Sequence, residues 1–234
     1  MKFSKYEAIK NDFIIVDNEV DVIKLCDRHS SIGADGVIVI KDISKEIIDI
    51  KIYNADGSEA RTCGNGLRCV GNYLHSKLNK ESFKVRTIAN IYHIKHIKDN
   101  IYEVDFSSVN NIKKEDDYYV VNSDNLHVFA INVKDFNLFI NKVRNKYDCN
   151  VENVEIIDRD NIKVKVNERG VGETLGCGSG AIAISTALHK DNLINNKVNC
   201  IMEGGTLEIE VLENIVKLKG EANFVYKGEI QCLT

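Results

Sequence analysis

Apolar residues in this chain recur mainly at every second position in short runs, and only a few stretches show the three-and-four spacing of a helix. Residues 13–16 form a brief apolar strand behind Asn11 and Asp12. Residues 37–40 and 47–53 predict the two strands of a hairpin, and 83–87, 91–97 and 101–106 alternate as further strands. After Cys63, the positions Leu67, Val70, Leu74 and Leu78 line one face of a helix. A shorter helix is predicted over 20–28, entered from Asp17 or Asn18 and leading into the glycine-rich turn SIGADG. The second half predicts a strand at 126–133, a helix at 135–147, a strand at 162–166 and a helix at 180–189. Strands follow at 207–212, 215–218 and 223–226. The charged run KKEDD at 113–117 is read as a solvated connector. Strands outnumber helices, and each half has one main helix among several strands.

The second half echoes the first because part of the sequence is written twice. Around Cys63 it runs IDIKIYNADGSEARTCGNGLRC, and around Cys177 it runs NIKVKVNERGVGETLGCGSGAIA. Aligned on the two cysteines, Ile48, Ile50 and Ile52 fall opposite Ile162, Val164 and Val166. Glu59 falls opposite Glu173, and Gly64 and Gly66 fall opposite Gly178 and Gly180. Each copy reads as strand, polar loop, Cys-Gly-x-Gly, then helix.

That placement gives the two cysteines a chemistry. Each thiol precedes a predicted helix, where the first backbone N–H groups have no intrahelical partner and the macrodipole is positive. Such an end binds a carboxylate, and glycines there let a ligand come close. Two such ends are expected to lower both thiol pKa values from about 8.5 towards neutrality, the range acid–base catalysis uses. Two like thiols on two like frames suit a reaction that takes a proton from one face of a carbon and returns one to the other.

Composition removes other classes. The chain has 234 residues, 44% hydrophobic and 28% charged, with a formal charge of −4, enough for two soluble domains. Nothing in this balance points to nucleic acid or an anionic membrane. The N-terminal apolar run is too short for a signal sequence or a span, so a cytoplasmic protein is expected. Seven cysteines, an odd number scattered through the chain, do not read as a disulfide framework. Cys26, Cys69 and Cys200, taken singly, read as small buried hydrophobes. No C-x2-C spacing occurs and histidines do not cluster beside the cysteines, which argues against zinc and against a thiol redox protein. The chain has no proline, so its turns and helix ends must rely on Gly and Asn.

The segments NADGSEARTCGNGLRC and ERGVGETLGCGSGAIA resemble the two signature motifs of the diaminopimelate epimerase family, amino-acid epimerases that use no pyridoxal phosphate. NDFIIVD, DRHSSIGADGV, NVENVEIIDRDNI and the closing GEI extend the resemblance over nearly the whole chain. Four positions differ: Lys10 replaces a usual glycine before Asn-Asp-Phe, Asp124 and Leu126 replace the glycine and proline of Gly-Asn-Pro-His (here Asp124-Asn125-Leu126-His127), and Asn153 replaces an aromatic. The segment between the halves is also shorter than is usual.

The resemblance implies an α/β (α+β) fold of two pseudo-symmetric domains, each a mixed sheet wrapped around a central helix, with the active site in the cleft between them. The domains expected are 1–112 plus 224–234, carrying Cys63, and 113–223, carrying Cys177. It implies that Cys63 and Cys177 are the proton-transfer bases, assisted by Glu168 and His127. Gly64 with Asn65, and Gly178 with Ser179, would hold the α-carboxylate. Asn11, Asn54, Asn125, Asn150 and Arg169 would bind the rest of an amino-acid substrate, and the planar Arg169 fork suits a second carboxylate. No cofactor or metal is called for, and a homodimer is expected. Diaminopimelate is the first expectation for substrate; another amino acid such as histidine, in a racemase of the same family, is the alternative.

Overall fold

The computed structural model describes residues 1–123 and 125–231. Two readings of the sequence, those on Asp124 and Cys232, lie outside them. The chain divides into two compact units: Met1–Val104 together with the stretch from Gly220 onward, and Asp105–Lys219. Both are mixed α+β.

In the first unit, strand Lys2–Ala8 turns back through Ile9 and Lys10 to pair antiparallel with Asn11–Val16. A crossover containing helix α1 (Val22–Cys26) then leads to Gly36–Ile40, parallel to Asn11–Val16. Ile47–Asn54 returns antiparallel and folds back on the short strand Glu59–Ala60. Helix α2 (Gly64–Leu78) follows, and Asn223–Glu229 pairs with the outer edge of Lys2–Ala8. The second unit repeats this plan. Strand Asn125–Ile131 crosses through helix α3 (Phe136–Arg144) to the parallel strand Asn150–Ile156, which pairs antiparallel with Asn161–Glu168. Gly172–Thr174 and helix α4 (Gly178–Lys190) complete the copy.

The two copies share their strand registers residue for residue. Phe13 pairs with Gly36 as His127 pairs with Asn150, and Val37 with Tyr53 as Val151 with Asn167. Ile52 pairs with Ala60 as Val166 pairs with Thr174. Every one of these counterparts has the spacing of Cys63 and Cys177, 177 minus 63 or 114 residues. The alternating residues Ile48, Ile50, Ile52, Ile162, Val164 and Val166 are all buried, as their pattern predicts.

Both main helices are enclosed by strands of their own unit, α2 by five and α4 by four. On α2, Leu67, Cys69, Val70 and Leu74 are fully buried. On α4, every residue from Gly180 to Leu188 is buried, and a helix apolar all round belongs in a core.

Several elements differ from the pattern-based expectation. Helix α1 is shorter than 20–28, because the Asp21 carboxylate, not Asp17 or Asn18, caps it by accepting from the Lys24 N–H at 3.1 Å. Helix α3 likewise starts after Asp135, which accepts from Leu138 N at 2.9 Å. The first part of the 113–117 connector is a strand, Asn111–Lys114, paired with Tyr119–Ser123. Its lysines are the charged residues that keep an edge strand soluble, and they hid it. Strands Lys2–Ala8, Asn150–Ile156 and Lys197–Met202 were also not foreseen.

Asparagine does much of the work of turning. Asn79, Asn132 and Asn192 all have positive φ, and Asn79 closes α2 in the left-handed conformation. The first hairpin is less comfortable: its two turn residues, Ile9 and Lys10, have φ of 47° and 66°. The resemblance places a glycine at the Lys10 position, and a left-handed L-residue costs roughly 1–2 kcal/mol. Lys10→Gly is expected to raise unfolding stability by about 0.5–1 kcal/mol after the greater chain entropy of glycine is counted. Denaturant melts of the two proteins measure it, and an unchanged or lower midpoint would refute the strain argument.

Candidate active site

Both Cys63 and Cys177 occupy the N-cap position of their helices, in extended backbone conformation. Cys63 Sγ accepts a hydrogen bond from Gly66 N at 3.4 Å and lies 4.0 Å from Asn11 Oδ1. Asn65 Nδ2 donates to the same Asn11 oxygen at 3.3 Å. Asn11 is itself held, because its Nδ2 donates to Asp35 Oδ2 at 3.1 Å. Behind it, Arg28 grips Asp12 through two nitrogens at 2.7 and 3.0 Å and Asp35 at 2.8 Å, while buried Lys5 pairs with Asp12 at 2.7 Å. Opposed burial and hydrogen bonding leave the Asp12 carboxyl far below the usual carboxylate range. This network uses the DRHSSIGADGV motif to fix one asparagine.

Arg68 lies beneath the same helix start, fully buried. It donates to Asn65 Oδ1 at 2.9 Å and to the Gly64 carbonyl at 3.1 Å. Burial pushes its pKa down to about 10, against the pull of Cys69 and Cys63. A positive charge therefore sits within electrostatic reach of Cys63.

Cys177 has the opposite surroundings. Its sulfur is 3.4 Å from Ser179 Oγ, and its backbone N–H donates to Met202 Sδ at 3.4 Å. Ser179 Oγ is 3.1 Å from His127 Nε2, and His127 Nδ1 is 2.6 Å from Glu152 Oε1. His127 and Glu152 are fully buried. On the other side, Thr174 Oγ1 donates to Glu168 Oε1 at 2.7 Å. Burial raises the Glu168 pKa, and the Glu152 charge adds to the rise. The Cys177 thiol is pushed well above its ordinary value, first by burial and then by Glu168 and Glu152. The expectation that both helix starts would acidify their thiols fails at Cys177. Desolvation and two carboxyl groups outweigh one helix dipole there.

The other site residues divide clearly. Gly64, Asn65, Gly178 and Ser179 form the helix starts beside the two cysteines. Asn54 Nδ2 donates to Ser58 Oγ at 2.9 Å within the hairpin turn. Asn150 Oδ1 accepts from the Arg169 backbone N–H at 2.9 Å. The Arg169 guanidinium is half-exposed and meets Asp148 at 2.9 Å. Asn125 is exposed on its strand, at the position that matches Asn11. Asn153, where an aromatic is usual, clasps Val133 through both N–H and carbonyl at 2.9 and 3.1 Å. Glu152, Arg68, Asp12 and Asp35 were missed as site residues. The first stood in plain view within NVENV, and an acid amid alternating apolar residues was the signal.

Cys26, Cys69, Cys149 and Cys200 are buried, and burial lifts their thiols, Cys26 and Cys149 to about 11 and Cys200 to about 12. These are packing residues. A separate group, His75, Glu81 and His96, has one potential ligand atom from each within 4.8 Å of the others. Its two rings lie tilted with centroids 4.0 Å apart, and His96 already uses Nδ1 on Glu81 and Nε2 on the Asp99 carbonyl. Burial works against charge on His96, but those two partners prevail and its pKa rises. Both His96 nitrogens are thus taken by Glu81 and Asp99 and are not offered to a metal.

A sequence model described as diaminopimelate epimerase matches residues 3–112 and again 105–225, so both copies of the repeat are recognised. The chain belongs to the diaminopimelate epimerase family. A diaminopimelate epimerase of Caldanaerobacter subterraneus subsp. tengcongensis is 33% identical over 276 residues, covering 99% of this chain and all of the relative. One from Methanocaldococcus jannaschii is 31% identical, covering 98% of each chain. Among solved structures, a phenazine biosynthesis protein of the PhzF family from Bacillus anthracis matches with a TM-score of 0.76 at 12% identity, covering 99% of both chains. A hydroxyproline epimerase from Agrobacterium vitis, solved with bound trans-4-hydroxy-L-proline, matches with a TM-score of 0.70 at 9% identity over 98% of this chain and 90% of that one. These two likenesses concern the fold. Membership of the diaminopimelate epimerase family makes the chain an enzyme of the isomerase class rather than a redox or metal-binding protein. No described helix is long and apolar enough to cross a membrane.

The Cys177 surroundings make a checkable statement about reactivity. A thiolate is the species that alkylates. Glu168→Gln removes one of the negative charges that oppose it, so Cys177 should react with iodoacetamide at lower pH than in the parent. Burial remains, so the shift should be partial. Peptide mapping of alkylation against pH reads it, and an unmoved Cys177 profile would show that Glu168 exerts no field there.

Proposed function

We propose that this chain is a pyridoxal-phosphate-independent epimerase that interconverts LL- and meso-diaminopimelate, with Cys63 and Cys177 as its two proton-transfer groups. The observation that carries the reading is the pair of N-cap cysteines on matched frames with unlike charge around them: a buried cation near Cys63, carboxyl groups near Cys177. Two-base epimerisation has one sulfur accept a proton while the other still holds one, and the unlike surroundings favour such a one-thiolate, one-thiol state.

The chemistry balances on these groups. A thiolate removes the α-proton, and the electron pair left on the carbon spreads into the α-carboxylate. The N–H groups at the starts of α2 and α4, at Gly64–Asn65 and Gly178–Ser179, stabilise that growing charge. The other thiol delivers its proton to the opposite face. The first sulfur ends protonated and the second ionised, so the reverse reaction finds its base and acid in place. Glu168 and His127 assist at Cys177. Asn11 orients the substrate beside Cys63, and Asn54, Asn125, Asn150 and Arg169 serve its distal end. On this reading the enzyme works in the cytoplasm, where thiols stay reduced, and as a homodimer, which sedimentation measures directly.

In deuterium oxide the protein should exchange and invert diaminopimelate at one α-carbon. Cys63→Ala and Cys177→Ala should each abolish inversion, although either can retain exchange at one face. Full turnover by either variant would end the two-base reading. Wild-type protein that turns over histidine and ignores diaminopimelate would assign it to a different substrate in the same reaction class.

Arg169 reports on the distal group. Its guanidinium already holds an exposed carboxylate, Asp148, and a second carboxylate on the substrate would take that place. Charge-assisted hydrogen bonds of this kind are worth roughly 1.5–3 kcal/mol. Arg169→Lys keeps the charge and loses the fork, so kcat/KM for diaminopimelate should fall by about 10- to 200-fold. An unchanged value would remove Arg169 from the binding site.

A further inference from the structure

The internal repeat supplies its own control experiment. At corresponding places the first unit has Phe13 and Ile38 where the second has His127 and Glu152. All four are buried. The equivalence holds in space as well as in register. A Cβ placed on Gly66 would lie 3.3 Å from Ile38 Cδ1, and one placed on Gly180 would lie 2.9 Å from Glu152 Oε1. The frame that accommodates an apolar pair beneath one helix start thus carries an acid and an imidazole beneath the other.

Burying a carboxyl group where an isoleucine fits costs stability to the extent that its oxygens lack partners. Glu152 Oε1 is committed to His127 Nδ1, and Oε2 is buried with no hydrogen-bond partner among the described residues. From the repeat and these distances we infer that Glu152 is a positioning residue for proton transfer at Cys177. It holds His127 with Nδ1 protonated, so that Nε2 is left as an acceptor. Ser179 then must donate its hydroxyl proton to Nε2, and its oxygen faces the Cys177 thiol as acceptor. The chain runs in one direction, from S–H to O–H to imidazole, and Glu152 sets that direction. The role belongs to the second unit alone, because Ile38 cannot perform it.

This inference rests on the epimerase reading for its kinetics and not for its structure. In ¹⁵N NMR of the histidine rings, wild-type His127 should show a protonated Nδ1 and an unprotonated Nε2, and Glu152→Ile should lose that preference. Kinetically, Glu152→Ile should lower kcat by about 10- to 100-fold, less than the roughly 10²–10⁴-fold of a group that itself transfers the proton, with KM changed by less than about twofold. His127→Phe with Glu152→Ile rebuilds the apolar pair of the first unit, which protects folding. If Glu152 acts through His127, adding Glu152→Ile to His127→Phe should cost nothing further. The same loss in both backgrounds would overturn the inference, as would an unchanged His127 tautomer in Glu152→Ile. Wild-type protein without epimerase activity would instead overturn the proposed function, and the NMR result would still decide the role of Glu152.

Discussion

Everything in this molecule depends on burying two helices whose first N–H groups lie beside Cys63 and Cys177. An unsatisfied N–H group costs roughly 1–3 kcal/mol once removed from water, and each helix begins with several. Full burial of a Leu or Ile returns about 1.5–3 kcal/mol apiece. On α4 alone, Ile182, Ile184 and Leu188 are buried, so packing outweighs the cost of the unpaired groups at its start. The cap residue is where the economy shows. Serine, threonine or aspartate would satisfy the helix start better, yet both helices begin with the weaker acceptor, cysteine. Cys177 makes no side-chain cap hydrogen bond at all.

With the frames alike, what differs between them becomes meaningful. Arg68 matches Ile182 in the other copy, and Glu152 matches Ile38. The first unit thus carries a buried cation where the second has an apolar residue, and the second carries a buried carboxyl group and an imidazole where the first has Ile38 and Phe13. The backbone geometry of the two thiols is held constant while the local potential is reversed. On the proposed function, a symmetric scaffold becomes an asymmetric acid–base pair with few changes, each at a position where the partner copy has an apolar residue.

Much of this was legible in the sequence. The period-two runs around Ile50 and Val164 and the Cys-Gly-x-Gly starts gave the strands, the helices and their duplication, because burial on one face leaves a clear alternation. The strand at Asn111–Lys114 was not legible, since an exposed edge carries charges that look like a loop. Asn150–Ile156 was obscured by Glu152 and Asn153, polar residues inside an otherwise apolar run. The candidate site divides the same way. Its thiols follow from local motifs, whereas Arg68 and Glu152 act through burial, which depends on residues distant in the chain. The raised Cys177 pKa is the clearest case: helix position is local, but desolvation is a property of the whole fold.

The pairing of Asn223–Glu229 with Lys2–Ala8 bears on how the chain assembles as it leaves the ribosome. The second unit is one continuous stretch and can close as soon as it has emerged. The first unit must wait, although most of it is made earlier, because its outer strand follows the whole second unit in the chain. Loop closure over that span is entropically costly only in proportion to the logarithm of its length, but it is slow to find. During synthesis Lys2–Ala8 presents an uncovered edge with Tyr6 and Phe3 beside it. The half bearing Cys63 is thus completed after the half bearing Cys177, and translation itself sets the order in which the two thiols acquire their surroundings.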